Sequence, residues 1–212
     1  TGVQLSREEI AVAVEVARNY DTYVLAHCHT SPAIEVALDA GVRSIEHGSV
    51  LEQSTAQRMQ GLGTFMVPTL QAMEVLNAHP DDFGLTPEKI ALLQSIKTTA
   101  YESVGTAAEA GVSIASGSDV VGTLQGRRGE EIVYKSRVLG PHRAIISATR
   151  TNAELFELQH EIGTVEQGKR ADLVLVRGEP LDDIELLADP DSVVVVLQDG
   201  VVRKDSEERL SG

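Results

Sequence analysis

The stretch VLAHCHT, residues 24–30, closes an apolar run on His27 and His29, and SIEHGS, residues 44–49, brings another short run to His47. Strand alternation puts His27 and His29 on one side and Cys28 on the other. A further apolar run, VSIAS at 112–116, leads into the small-residue turn Gly117-Ser118-Asp119. Two imidazoles and a carboxylate on neighbouring strand ends can bind a divalent transition metal, because catalytic zinc takes nitrogen and oxygen donors of this kind. Such a cation lowers the pKa of bound water to ~7, and Asp119 could accept a proton from that water and return it to a leaving nitrogen. Each residue alone also has a blander reading. A strand-end histidine can be a hydrogen-bonded structural residue, and a Gly-Ser-Asp turn can be a helix cap. Metal chemistry gains from the combination, since three separate strand ends offer ligand types on one face.

The elements that must position these residues can be read from periodicity and punctuation. Ser6 followed by Glu9 is a capping box that opens a helix over residues 6–20, with Ile10, Ala13, Val14 and Ala17 as its apolar stripe. YVLAHC at 23–28 reads as a strand, and SPAIEVALDAG as a helix with Ser31 as N-cap, Pro32 at the first helical position and Gly41 as the stop. Residues 43–47 and 64–68 give two more strands around a helix over 52–60 that Gly61 ends. A long polar connection with Pro80 and Gly84 precedes a helix from Pro87 to Ala110, and residues 112–116 form the fourth strand. Helices are expected over 129–139 and 141–158. Four alternations of strand and helix imply parallel strands whose C-terminal ends face the reaction site, where His27, His47, Pro68 and Asp119 fall. ADLVLVRG at 171–178 and VVVVLQDGVVRK at 193–204 are β-rich, and Asp199-Gly200 is a strong hairpin signal.

The chain has 212 residues and a net charge of −14, which argues against a nucleic-acid or anionic-membrane surface. A single cysteine excludes an intrachain disulfide and suits a reducing, cytoplasmic setting. No apolar run approaches the roughly 20 residues that span a bilayer. The chain begins at Thr1 and opens on the middle of a repeating pattern, so it reads as a piece of something longer. Arg127 and Arg128 could hold a substrate carboxylate through paired donors, or could be solvated loop residues balanced by Glu130 and Glu131. No Gly-rich phosphate loop has the required context.

The succession VLAHCHT, ALDAGVRSIEHGS, GTFMVPTL, AGVSIASGSD, ISATRTNAELF and GTVEQGKRADLVLVRGEPLDDI resembles the C-terminal half of an amidohydrolase-superfamily enzyme. It is similar to the imidazolonepropionase-like branch, which includes Xaa-Pro dipeptidases, N-acyl-amino-acid hydrolases and ochratoxin-degrading amidases. The resemblance implies an α/β fold: strands five to eight of a (β/α)8 TIM-type barrel over residues 1–160, then part of a small β-sandwich domain over 161–212. It implies His27 and His47 as metal ligands and Asp119 as both ligand and general base. His29 matches a further histidine of the branch, a substrate-binding candidate with Arg127 and Arg128. The cofactor implied is one or two divalent metal ions, zinc first. The family's first-strand His-x-His pair and fourth-strand lysine have no counterpart in these residues, so activity is expected of the intact protein rather than of this chain alone. The expected reaction is hydrolysis of a dipeptide or N-acyl amino acid. Cyclic-amide or imidazolone hydrolysis, deamination, or a non-catalytic role completing a barrel with another chain are the alternatives. The expected partners are a small amide substrate and further copies of the intact protein.

Overall fold

The computed structural model describes residues 2–210. The chain divides into two compact units, residues 1–119 and 120–212. The expected junction near residue 160 lies within the second unit, between its helices and its antiparallel sheet.

In the first unit, Ser6 caps helix α1 (Arg7–Arg18), and Glu9 completes the capping box by accepting from the Ser6 backbone amide at 2.8 Å. Only Val14 of its apolar stripe is buried. The apolar runs then form three strands, β1 (Leu25–Thr30), β2 (Ser44–Val50) and β3 (Phe65–Val67). They pair in the order β1-β2-β3, all parallel, because each crossover passes through a helix. The crossovers are α2 (Ser31–Ala40) and α3 (Gln53–Leu62). Ile34, Ile45, Met59 and Met66, all fully buried, fill the space between helices and sheet.

Several local expectations are corrected. Thr30, not Ser31, is the N-cap of α2. The Ser31 hydroxyl instead accepts the Glu52 amide at 2.8 Å and so ties the connection after β2 to α2. Gly61 lies inside α3, whose left-handed terminus is Gly63 at φ 68°. The polar connection contains a helix, α4 (Leu70–Ala78), that packs on α5 (Pro87–Ala110). Glu74 of α4 accepts from Tyr101 at 2.7 Å and pairs with Lys97 at 2.6 Å. The expected fourth strand shrinks to one parallel bridge, Met66 with Ile114. It is held by the Met66 amide on the Ser113 carbonyl at 3.0 Å and the Ala115 amide on the Met66 carbonyl at 2.8 Å. Its place beside β3 is as expected, and its length is not.

The second unit carries α6 (Glu130–Leu139), α7 (Pro141–Ala148) and α8 (Arg150–Leu155), with Gly140-Pro141 making the break. A three-stranded antiparallel sheet follows, β4 (Leu173–Val176), β5 (Val193–Gln198) and β6 (Val201–Asp205). Asp199 at φ 51° and Gly200 at φ 74° form the turn between β5 and β6, the left-handed pair that a two-residue hairpin requires. Among the described residues, no helix is long and apolar enough to cross a membrane.

Lys135 of α6 is fully buried and donates to the Ser147 hydroxyl at 2.7 Å. Burial pulls its ammonium below the usual lysine value, and the charge of Glu131, buried one turn earlier, opposes that shift. Removing one member of such a set strands the other charge in the interior. Lys135→Met alone is therefore expected to cost about 3–5 kcal/mol in urea unfolding, and the double variant Glu131→Leu with Lys135→Met should recover most of it. Equal losses in the single and double variants would show that the charges are not coupled.

Candidate metal centre

His27, His29, His47 and Asp119 all belong to the first unit and lie at the ends of its parallel segments. β1 continues through Thr30, so His29 is a strand residue, on the same face as His27, while Cys28 points the other way and is buried. His27 lies opposite Glu46 in the ladder and Cys28 opposite His47. In an unbroken strand His47 would therefore share the buried Cys28 side and be unable to meet His27.

The backbone resolves this. His47 and Gly48 both have left-handed φ, 73° and 55°, and the ladder slips by one residue between Cys28/His47 and Thr30/Val50. This is a β-bulge, which re-aims the side chain it carries. Gly48 suits the position because a Cβ there would lie 3.0 Å from Met66 Cε, on top of the strained φ.

The His47 ring is thereby brought to the face of His27 and His29. His47 Nε2 is 2.8 Å from His27 Nδ1, and its ring stacks on His29 at 4.6 Å between centroids with 5° between planes. His47 Nδ1 is 2.7 Å from the Thr69 hydroxyl, and His29 Nδ1 is 3.1 Å from that of Ser49. His47 is buried, and burial first, then the nearby His29, lowers its pKa to about 4, with Asp119 pulling in the opposite direction. Burial and His27 likewise lower the pKa of His29 against the pull of Asp119. Asp119 is exposed, follows the turn after Ile114 and has φ 52°.

Three residues absent from the sequence reading join the cluster. Glu46, opposite His27, accepts from Ser44 at 2.7 Å, and burial raises its carboxyl pKa while the charge of His27 lowers it. Its signal was a glutamate inside an apolar strand, a position the type usually avoids. Ser49 and Thr69 gave no such signal.

Among the described residues, no group of three or more His, Cys, Asp or Glu converges closely enough to form a metal site. The donors fit a divalent transition metal in kind. Two imidazole nitrogens face one another from adjacent strands, and one of the rings is oriented through its other nitrogen, as ligand histidines are. In number they are a partial set, since zinc takes four ligands.

In the second unit, Arg127 donates to Glu130 from Nε at 2.6 Å and from one terminal nitrogen at 3.1 Å. Arg128 Nε donates to the Gln125 carbonyl at 2.8 Å.

A family model described as the amidohydrolase family matches residues 1–203. Ochratoxinase of Aspergillus niger is 29% identical over 202 residues, 95% of this chain and 42% of that protein. An uncharacterized protein of Mycobacterium tuberculosis is 27% identical over 194 residues, 90% of this chain and 51% of that one. Among solved structures, a prolidase complexed with N-methylphosphonate-L-proline superposes with TM-score 0.90 at 38% identity, covering 95% of this chain and 50% of its own. A Xaa-Pro dipeptidase with methionine bound in its active site gives TM-score 0.86 at 33% identity, covering 95% and 49%. The chain thus spans about half the length of the relatives it matches. With the family model running nearly end to end, this chain belongs to the amidohydrolase family.

Proposed function

We propose that this chain is part of a metal-dependent hydrolase that cleaves the amide bond of a dipeptide or an N-acyl amino acid. The observation that carries this reading is the convergence of His27 Nδ1 and His47 Nε2 at 2.8 Å from adjacent strand ends, within electrostatic reach of Asp119. In this reading residues 1–160 supply strands five to eight of a (β/α)8 barrel and residues 161–212 part of a flanking β domain. His27, His47 and Asp119 would hold the metal, zinc first for nitrogen donors. When bound, such an ion supplies Lewis acidity, acidifying water and polarising a carbonyl.

The remaining chemistry belongs to side chains. Asp119 takes the proton from the attacking water and returns it to the amide nitrogen. The water oxygen is then bonded to the carbonyl carbon, the C–N bond is broken, and the amine leaves neutral. His29, stacked on His47, forms a wall of the site and offers a polar contact to substrate. Arg127 and Arg128 can take a substrate carboxylate only by exchanging their present partners. The prolidase relative carries N-methylphosphonate-L-proline and the dipeptidase relative methionine, which favours a substrate built on an amino acid here. Full activity would draw on the His-x-His pair and lysine that the family resemblance implies for the other half of the protein.

The test uses the full-length protein with zinc on Xaa-Pro dipeptides and N-acyl amino acids. Asp119→Asn should lower kcat/KM by about 10²–10⁴-fold, the range for general acid–base catalysis. His27→Ala should lower bound zinc as well as activity. Unchanged turnover in Asp119→Asn would remove it from the chemistry.

The neutral His47 that ligation requires is also the form the metal-free fold favours. Its folded pKa, about 4, lies below the ordinary 6.5, so its contribution to stability is complete above pH 6.5 and is lost as pH falls toward 4. After chelator treatment, stability should drop by about 1–3 kcal/mol across that window through His47, allowing for solvent screening. His47→Gln should flatten the slope. An identical slope in the variant would mean that His47 is not the titrating group.

A further inference from the structure

We propose that Thr69 is a positioning residue for His47: its hydroxyl, carried on a left-handed turn at the end of β3, holds the imidazole through Nδ1 so that Nε2 faces His27. This rests on the hydrolase reading for its purpose but not for its geometry.

Thr69 occupies the N-cap position of α4, where a threonine hydroxyl ordinarily accepts an amide from the first helical turn. Here it makes no such bond. Its hydroxyl is 2.7 Å from His47 Nδ1 instead, and both residues are buried, at 4% and 8% exposure. Its backbone is equally unusual, since φ 51° and ψ 45° place a β-branched residue in the left-handed region. A threonine that gives up both a helix cap and a relaxed backbone is held by something else. The imidazole is the partner it gains.

The surrounding packing supports this seating. Gly117 lies so close to β3 that a Cβ there would be 2.8 Å from Val67 Cγ1 and 3.9 Å from Thr69 Cγ2. The turn that leads to Asp119 therefore rests on the residue that orients His47. With Nδ1–H donating to Thr69, the lone pair of Nε2 is directed toward His27, as ligation requires.

Two substitutions separate the hydroxyl from the shape. Thr69→Val keeps the β-branch, and thus the left-handed strain, but removes the hydroxyl, whereas Thr69→Ser keeps the hydroxyl and removes the methyl. In the full-length protein, zinc affinity would be measured by chelator competition and the His47 tautomer by long-range ¹H–¹⁵N NMR. Thr69→Val is expected to weaken zinc binding by about 10–100-fold, the usual effect of losing a ligand's orienting partner, and to lose the single Nδ1–H tautomer. Thr69→Ser should keep both. Wild-type zinc affinity in Thr69→Val, or equal losses in the two variants, would overturn the proposal. An Nε2–H tautomer in the wild-type protein would overturn it even if Thr69→Val failed to fold. If the wild type bound no zinc, the hydrolase reading would fall, and the tautomers of the variants would still decide the role of Thr69.

Discussion

Parallel pairing of β1 with β2 places His27 beside Glu46 and Cys28 beside His47, and then slips by one residue. Everything at the candidate site depends on that slip. Parallel order gathers the strand ends on one edge, but a regular ladder would assign His27 and His47 to opposite faces of the sheet. The bulge at His47–Gly48 carries His47 over, so that the face already holding His27 and His29 acquires a third imidazole. The chain after β3 then has its own constraint, since Thr69, two residues past the strand, must bring its hydroxyl to His47.

Once assembled, the cluster has a defined electrostatic character. His47 touches both His27 and His29, and burial together with the neighbouring imidazoles lowers the pKa of His47 and of His29. Those two rings are thereby held toward their neutral form, in a protein that is strongly acidic at −14. Glu46 and Asp119 lie within electrostatic range of these rings, and burial raises the pKa of the Glu46 carboxyl. Imidazoles and carboxylates are donors of the kinds that a divalent transition metal takes.

Much of this was legible in the chain. Capping and glycine signals located α1, α2 and α5 to within a few residues, apolar runs located the strands, and Asp199-Gly200 fixed the β5–β6 turn. The ordered succession of motifs identified the family. Alternation could not reveal the face of His47, because a bulge is a property of the pairing and not of one strand, although Gly48 directly after the histidine is its trace. Thr69 was invisible because α4, which it precedes, falls where the sequence suggested only a polar connection. Ser31 misled because a serine before a helix reads as a cap, whereas its hydroxyl accepts the amide of Glu52, distant in sequence, in preference to the local helix. The fourth strand was shortened because Met66 and Ile114 pair at a single bridge.

Backbone strain weighs between the two readings of the strand-end histidines. Among the described residues, seven other than glycine have positive φ, and His47, Thr69 and Asp119 are three of them. Asp21 and Asp199 belong to turns, where aspartate tolerates that region at little cost. A β-branched threonine does not, and Thr69 would relax in an ordinary strand end. Structural histidines that only satisfy their hydrogen bonds require no such distortion. A histidine turned across its sheet and a threonine diverted from its helix accompany the approach of His27 Nδ1 to His47 Nε2 at 2.8 Å, a closeness that packing alone does not require.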